Sequence, residues 1–136
     1  MEIMFSVPGE PTGKGRPRMT KQGHTYTPQK TVEYENLVRQ EYLRQCGVKF
    51  QDNTPLLVKM KAIYAIPKTA SKDKRRKMEE VKLFPLKRPD IDNVCKCILD
   101  ALNGIAYRDD AQVVDCRIVK IYGNTPRVEI EIAELE

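Results

Sequence analysis

Asp90-Ile-Asp92-Asn93-Val-Cys-Lys96-Cys-Ile-Leu-Asp100-Ala-Leu102 is the stretch on which the reading of this chain turns. Ile91, Val94, Cys95, Ile98, Leu99 and Leu102 fall at i, i+3, i+4, i+7, i+8 and i+11, the spacing of an amphipathic helix. Pro89 precedes the stretch and Gly104 ends it, as helix boundaries often do. The opposite face is polar: Asp92, Lys96 and Asp100 form one row at i, i+4 and i+8, with Asn93 beside it. Asp90 falls at the cap position, where a carboxylate can accept backbone N–H groups and meets the positive end of the helix dipole.

Working outward, the flanking segments read as strands. Residues 112–122 and 126–133 alternate, and Gly123-Asn124-Thr125 between them reads as a tight hairpin turn. Residues 56–66 alternate as well, and residues 2–7 form a first strand broken at Pro8-Gly9. A loop rich in Gly, Pro and basic residues follows, with a short hairpin toward Tyr26. Thr27 can cap a helix with Pro28 at its first position. Val32, Leu37, Val38, Tyr42 and Leu43 give that helix a stripe, and Gly47 stops it. A charged segment capped by Ser71 or Thr69 predicts an exposed, mobile helix over 71–82. The expected fold is α+β: a small mixed sheet with helices packed on it, forming one domain over residues 1–136.

Composition bounds the rest. A chain of 136 residues, 40% hydrophobic, can bury a core without staples. It has no apolar run long enough for a membrane span, and its start lacks the pattern of a signal peptide, so a cytoplasmic protein with no membrane partner is expected. That compartment argues against disulfides among Cys46, Cys95, Cys97 and Cys116, which read as small apolar side chains. Cys95 and Cys97 lack zinc-site spacing.

The net charge of +5 is unevenly placed. Residues 1–88 hold 19 Lys and Arg against 9 Asp and Glu, a net +10, and residues 89–136 hold 5 against 10, a net −5. A basic part joined to an acidic part suits an anionic polymer held by one and attacked, through a cation, by the other. Lys14, Arg16 and Arg18 on the glycine-containing loop, the cluster Lys72, Lys74, Arg75, Arg76 and Lys77, and Arg88 are the candidate DNA-phosphate contacts. Hydrolysis of a phosphodiester needs charge neutralisation and an activated water, and Mg²⁺ held by carboxylates supplies both. Lys96, one turn from Asp92, has the spacing to orient water or stabilise developing charge. His24, alone in the basic loop, reads as incidental.

Each acid also has a bland reading. Asp90 can be an N-cap and nothing more. Asp92, Lys96 and Asp100 can be an ion-pair row, and Asp109-Asp110 can be a turn.

The segment Arg88-Pro-Asp90-Ile-Asp92-Asn93-Val-Cys-Lys96, followed by Asp109-Asp110-Ala-Gln112-Val-Val-Asp115, closely resembles the signature of RusA-type Holliday junction resolvases, a family often encoded by phages and prophages. The match covers about a quarter of the chain. The resemblance implies a homodimeric, Mg²⁺-dependent endonuclease that nicks opposing strands of four-way junction DNA in recombination and repair. It implies that Asp90, Asp92 and Asp110 are the essential acids and metal ligands, that Lys96 is the catalytic lysine, and that Asp100 has a structural or ion-pair role. The basic excursion before the motif is longer than in the shortest members. A less selective nuclease and a non-catalytic DNA-binding module are the alternative readings.

Overall fold

The computed structural model describes residues 1–135. In chain order the elements are β1 (Glu2–Pro8), β2 (Arg18–Met19), β3 (Thr25–Tyr26), α1 (Gln29–Gln45), β4 (Leu56–Ala65), α2 (Lys72–Glu79), α3 (Ile91–Leu102), a single 3₁₀ turn (Asp110–Gln112), β5 (Val113–Gly123) and β6 (Arg127–Glu134). Strands β1, β6, β4 and β5, in that order, form one mixed sheet, and β2 and β3 form the expected small hairpin. The α+β architecture is as the sequence predicts.

The hairpin between the last two strands is not. β5 runs parallel to β4 along one edge, and β6 runs antiparallel to β4 along the other, so β4 lies between them. Asn124, Thr125 and Pro126 therefore carry the chain over the end of β4, across roughly two strand spacings of 4.8 Å each. Gly123 is needed for close passage and not for a left-handed turn, because a Cβ there would sit 2.6 Å from Ile63 Cγ2. A parallel β4–β5 pair needs a long crossover, and the segment carrying α2 and α3 supplies it.

β4 and β6 alternate cleanly. Leu56, Val58, Met60, Ala62 and Tyr64 from β4 and Val128, Ile130 and Ile132 from β6 face one buried side. α1 and α3 close over that side, and Phe5 meets Tyr42 edge-on at 5.1 Å. Both helices bury a stripe rotated from the one their apolar spacing suggests. α3 buries Val94, Cys97, Ile98, Ala101 and Leu102, while Ile91 is left 39% exposed. The cause is its place against both the sheet and α1. Small Cys97 and Ala101 admit α1, and Arg39 Nε of that helix donates to Ala101 O at 3.0 Å. α1 buries Thr31, Tyr34, Glu35, Val38 and Tyr42, and Leu43 stays exposed. It begins one residue later than expected, with Pro28 at the cap position, so Thr27 does not cap it.

α2 follows its sequence reading at the start, where the Ser71 side chain accepts from Lys74 N at 3.2 Å. It ends at Glu79, short of residue 82, and Val81 then turns to a positive φ of 58°. Met78, buried, anchors this otherwise charged helix, and the guanidinium of Arg75 donates to Pro67 O at 3.3 Å.

Candidate active site and nucleic-acid interface

The first turn of α3 and the basic loop are built against each other. Lys14 N donates to Asn93 O at 2.9 Å. Gly13 permits this, since a Cβ there would lie 2.9 Å from Pro89 Cβ and 3.1 Å from Asn93 Cβ. Gly15 in turn donates to Thr31 Oγ1 at 3.0 Å, fixing the loop to the start of α1. Between these segments lies a polar groove of about 700 Å³, with Arg16, Lys30, Arg88, Asp90 and Asn93 among its lining residues. The charge asymmetry seen along the chain thus becomes a contact in space. Cations and Asp90 share one groove.

The bland readings of the acids can now be checked one by one. Asp90 does occupy the N-cap position, but its carboxylate accepts no capping hydrogen bond. Among the described residues no ion pair involves Asp90, Asp92 or Lys96, so the expected i,i+4 row of pairs does not form. All three residues are exposed. Asp100 has a different partner, Lys14 Nζ, at 3.4 Å, in keeping with an ion-pair role. Asp109 is the turn-former of its pair. Its side chain accepts from Ala111 N at 3.1 Å, and its own N–H donates to Gln112 Oε1 at 3.3 Å. Asp110 is left over, half-buried, with its backbone N–H on Asn103 Oδ1 at 3.0 Å.

The bond to Asn103, the C-cap of α3, places Asp110 at the end of that helix. Partial burial raises its carboxyl above the ordinary range, and a hydrogen bond with Asp109 and the charges of Asp109 and Asp100 add to the rise. Asp109 moves the opposite way, lowered chiefly by its bond from Ala111 N–H. Asp110 therefore sits toward the Asp100 end of the helix, whereas the charge of Asp90 is felt at the Tyr64 hydroxyl near the other end. Among the described residues no three His, Cys, Asp or Glu side chains gather closely enough to hold a metal ion. Asp90 and Asp92 stand at the start of α3, and Asp110 lies past its end, beside Asn103. The donors at the start of α3 still suit a hard cation. Two exposed carboxylates with free lone pairs match the usual Mg²⁺ arrangement of one or two carboxylates completed by water and substrate phosphate.

The proposed phosphate contacts divide into displayed and engaged groups. Arg16, Arg18 and Arg88 are exposed, Arg18 on the first strand of the small hairpin. Lys14 is turned inward, its ammonium 2.9 Å from Glu35 Oε2 and 3.4 Å from Asp100. Both neighbours engage its charge within the chain, and Lys14 also lines the groove. On α2, Arg76 and Lys77 both pair with exposed Asp73 at 2.7 and 3.3 Å, and such pairs are weak and screened by salt. Lys72 and Lys74 are exposed on the same helix. His24 sits in the tip of the small hairpin, outside this groove.

Sequence reasoning missed Lys30, which enters the groove from the first turn of α1. It also missed Lys87 and Lys120, whose ammonium groups lie 5.8 and 5.2 Å from the Tyr64 ring centre. Nothing local in the sequence marks Lys30. Glu35 did carry a signal, standing four residues after Thr31 and three before Val38 on what proves to be the buried stripe.

Taken with the fold, this arrangement defines an α+β protein in which a groove lined by Arg16, Lys30 and Arg88 also carries Asp90, at the start of α3. The sequence model of the endodeoxyribonuclease RusA family matches residues 8–133. The chain belongs to that family. It is 36% identical over 142 aligned positions, covering 98% of this chain and 96% of the relative, to the uncharacterized protein YqaN of Bacillus subtilis (strain 168). It is 33% identical over 87 positions, covering 63% of this chain and 60% of the relative, to a protein of Lactococcus phage r1t named crossover junction endodeoxyribonuclease rusA. Membership supports a nuclease, and none of the described helices is long and apolar enough to cross a membrane.

Proposed function

We propose that this protein is a Mg²⁺-dependent endonuclease that resolves four-way DNA junctions by paired nicks, acting as a homodimer in recombination and repair. The observation that carries the reading is the shared groove, in which Arg16, Lys30 and Arg88 line the space into which Asp90 opens. Family membership and the name of the phage relative support the substrate class.

Arg16, Lys30 and Arg88 hold the backbone of one strand, with Arg18 beyond them. Asp90 and Asp92 would hold the cation. Bound there, Mg²⁺ supplies Lewis acidity at the phosphate and a more acidic water. Lys96, unpaired and one turn from Asp92, orients the water or stabilises charge on the departing oxygen. Asp110 acts as the third carboxylate, approaching the row from the Asp100 side. Lys72, Lys74, Arg75, Arg76 and Lys77 extend the phosphate contact along a second arm. A two-fold dimer matches the two-fold symmetry of the junction, and branched shape supplies the selectivity.

The test is cleavage of a synthetic four-way junction beside a linear duplex of the same sequence, with and without Mg²⁺, and with Asp92→Asn as control. Symmetric nicks on the junction alone, absent from the variant although it still binds, are the expected result. Cutting of both substrates would remove the junction selectivity. Binding with no cutting by the natural chain would leave only a DNA-binding module.

A further inference from the structure

Two thiols stand apart from the site described above and from the apolar role that the sequence suggests for all four cysteines. Cys95, half-buried on α3, and Cys116, exposed on β5, place their sulfurs 3.3 Å apart. The other two cysteines are not so placed. Cys97 is fully buried in the core, and the Cys46 thiol donates to Met4 O at 3.5 Å.

Separation, accessibility and attachment all favour a covalent link. A disulfide needs its sulfurs about 2.05 Å apart, so closure asks for a shift of only ~1.2 Å. Both elements lie at the surface on this side, β5 being an edge strand. The two thiols share a hydrogen bond in which either sulfur can donate, and a donating Cys95 thiol draws the Cys116 thiol down to about 7. An exposed cysteine of that kind holds an appreciable thiolate fraction at neutral pH, and the thiolate is the reactive form.

We propose that Cys95 and Cys116 are a reversible oxidation site, which hydrogen peroxide converts to a disulfide tethering α3 to β5. The Cys116 thiolate attacks one peroxide oxygen. The O–O bond breaks, hydroxide leaves and takes the Cys95 proton as water, and Cys116 becomes a sulfenic acid. The Cys95 thiolate then attacks the Cys116 sulfur, the S–O bond breaks, and the departing hydroxide takes a proton from solvent. Two thiols and one peroxide thus give one disulfide and two waters. The sulfur pair supplies both electrons, and a dithiol reductant reverses the change by exchange.

The position gives the tether a consequence. Cys95 stands three residues after Asp92 and one before Lys96, so the linked helix is the one that carries the proposed chemistry. The chemical step itself does not depend on the nuclease reading.

The experiment treats the full chain with a stoichiometric amount of hydrogen peroxide, quenches it with iodoacetamide, and maps peptides without reduction. A monomer lighter by two hydrogens is expected, with a Cys95–Cys116 linked peptide, both thiols protected from alkylation, and full recovery in dithiothreitol. Cys116→Ser, a change at an exposed position, is expected to abolish the linked product, and Cys46→Ser to leave it unchanged. Hydrogen exchange in α3 and β5 is expected to slow in the oxidised natural chain and not in Cys116→Ser. Cys95 and Cys116 still alkylated after peroxide, or a linkage through Cys46, Cys97 or a second chain instead, would overturn the assignment. No cutting of any DNA by the natural chain, or retained cleavage in Asp92→Asn, would leave this result untouched, so the two readings fail separately.

Discussion

Lys14 stands two residues before Arg16 on the same glycine loop, yet its surroundings give it a different task. Its ammonium lies against Glu35, which is buried, and Asp100. Burial pulls its pKa down, but the hydrogen bond and charge of Glu35, then those of Asp100, prevail and hold it above the ordinary 10.5. A raised lysine contributes stability that is complete below its ordinary value and lost as pH rises through the raised one. Lys14→Met leaves a buried carboxylate unpaired and is expected to cost about 3 kcal/mol, at the low end for a broken buried pair. Melting curves check this, with a gap between variant and natural chain that narrows only above pH 10.5. Salt titration of DNA binding separates the two roles. A phosphate contact would reduce the slope by about one on neutralisation, whereas an internal tie of the loop to α1 and α3 leaves it unchanged. The sequence marked Lys14 as cationic and placed it on a loop. It did not show that Glu35, 21 positions on, would turn inward to meet it.

At the scale of elements, legibility followed the range of the interaction. The existence and type of β1, α1, β4, α2, α3, β5 and β6 were written in local period, and Ser71 as a cap was written in a single side chain. The buried arcs of α1 and α3 were not, because each helix faces the other as well as the sheet, and Cys97 and Ala101 are buried for the room they leave. The adjacency of β5 and β6 was misread for a related reason. Gly-Asn-Thr suits a hairpin locally, and only the pairing of β4 with both strands decides otherwise. Gly123→Ala tests that account. Its Cβ would meet Ile63 Cγ2 at 2.6 Å, an overpacking expected to cost about 1–3 kcal/mol in a denaturant titration. A glycine serving only a flexible turn at a non-glycine φ would instead gain about 0.4–1 kcal/mol on the same change. α2 gives a second test at this scale. Changing Lys72, Lys74 and Arg76 together to Gln is expected to weaken junction binding and flatten its dependence on salt, with Met78 keeping the helix docked. An unchanged slope would return the helix to plain solvent exposure.

At the scale of the molecule, one face of the sheet is left uncovered by α1 and α3, and its chemistry is divided. Lys59 and Lys61 stand on β4, with Arg117 on β5 beside them. Glu129 and Glu131 stand on neighbouring β6, and exposed Met4 and Val119 supply apolar surface. Within the chain, Lys59 is the cross-strand partner of Glu131, and Lys61 of Glu129. A two-fold axis through this face would lay the cationic half of one copy on the anionic half of the other, which makes the face self-complementary. It is therefore the surface we assign to the proposed homodimer. Exchanging the signs in one variant, Lys59→Glu, Lys61→Glu, Glu129→Lys and Glu131→Lys, keeps the 59–131 and 61–129 cross-strand pairs opposite in charge and gives up the partly exposed Arg127–Glu129 pair, so the fold is expected to stand. The variant is also expected to dimerise with itself. Mixed with the natural chain, however, each half would meet its own sign, and like charges brought together in an interface cost several kcal/mol. Native mass spectrometry of the mixture, with one partner isotopically labelled, is expected to show two homodimers and almost no mixed species. Mixed dimers at the statistical proportion would move the dimer contact to another surface. Monomers throughout would leave the junction to be cut by two independent copies, and the nicks would then lose their pairing.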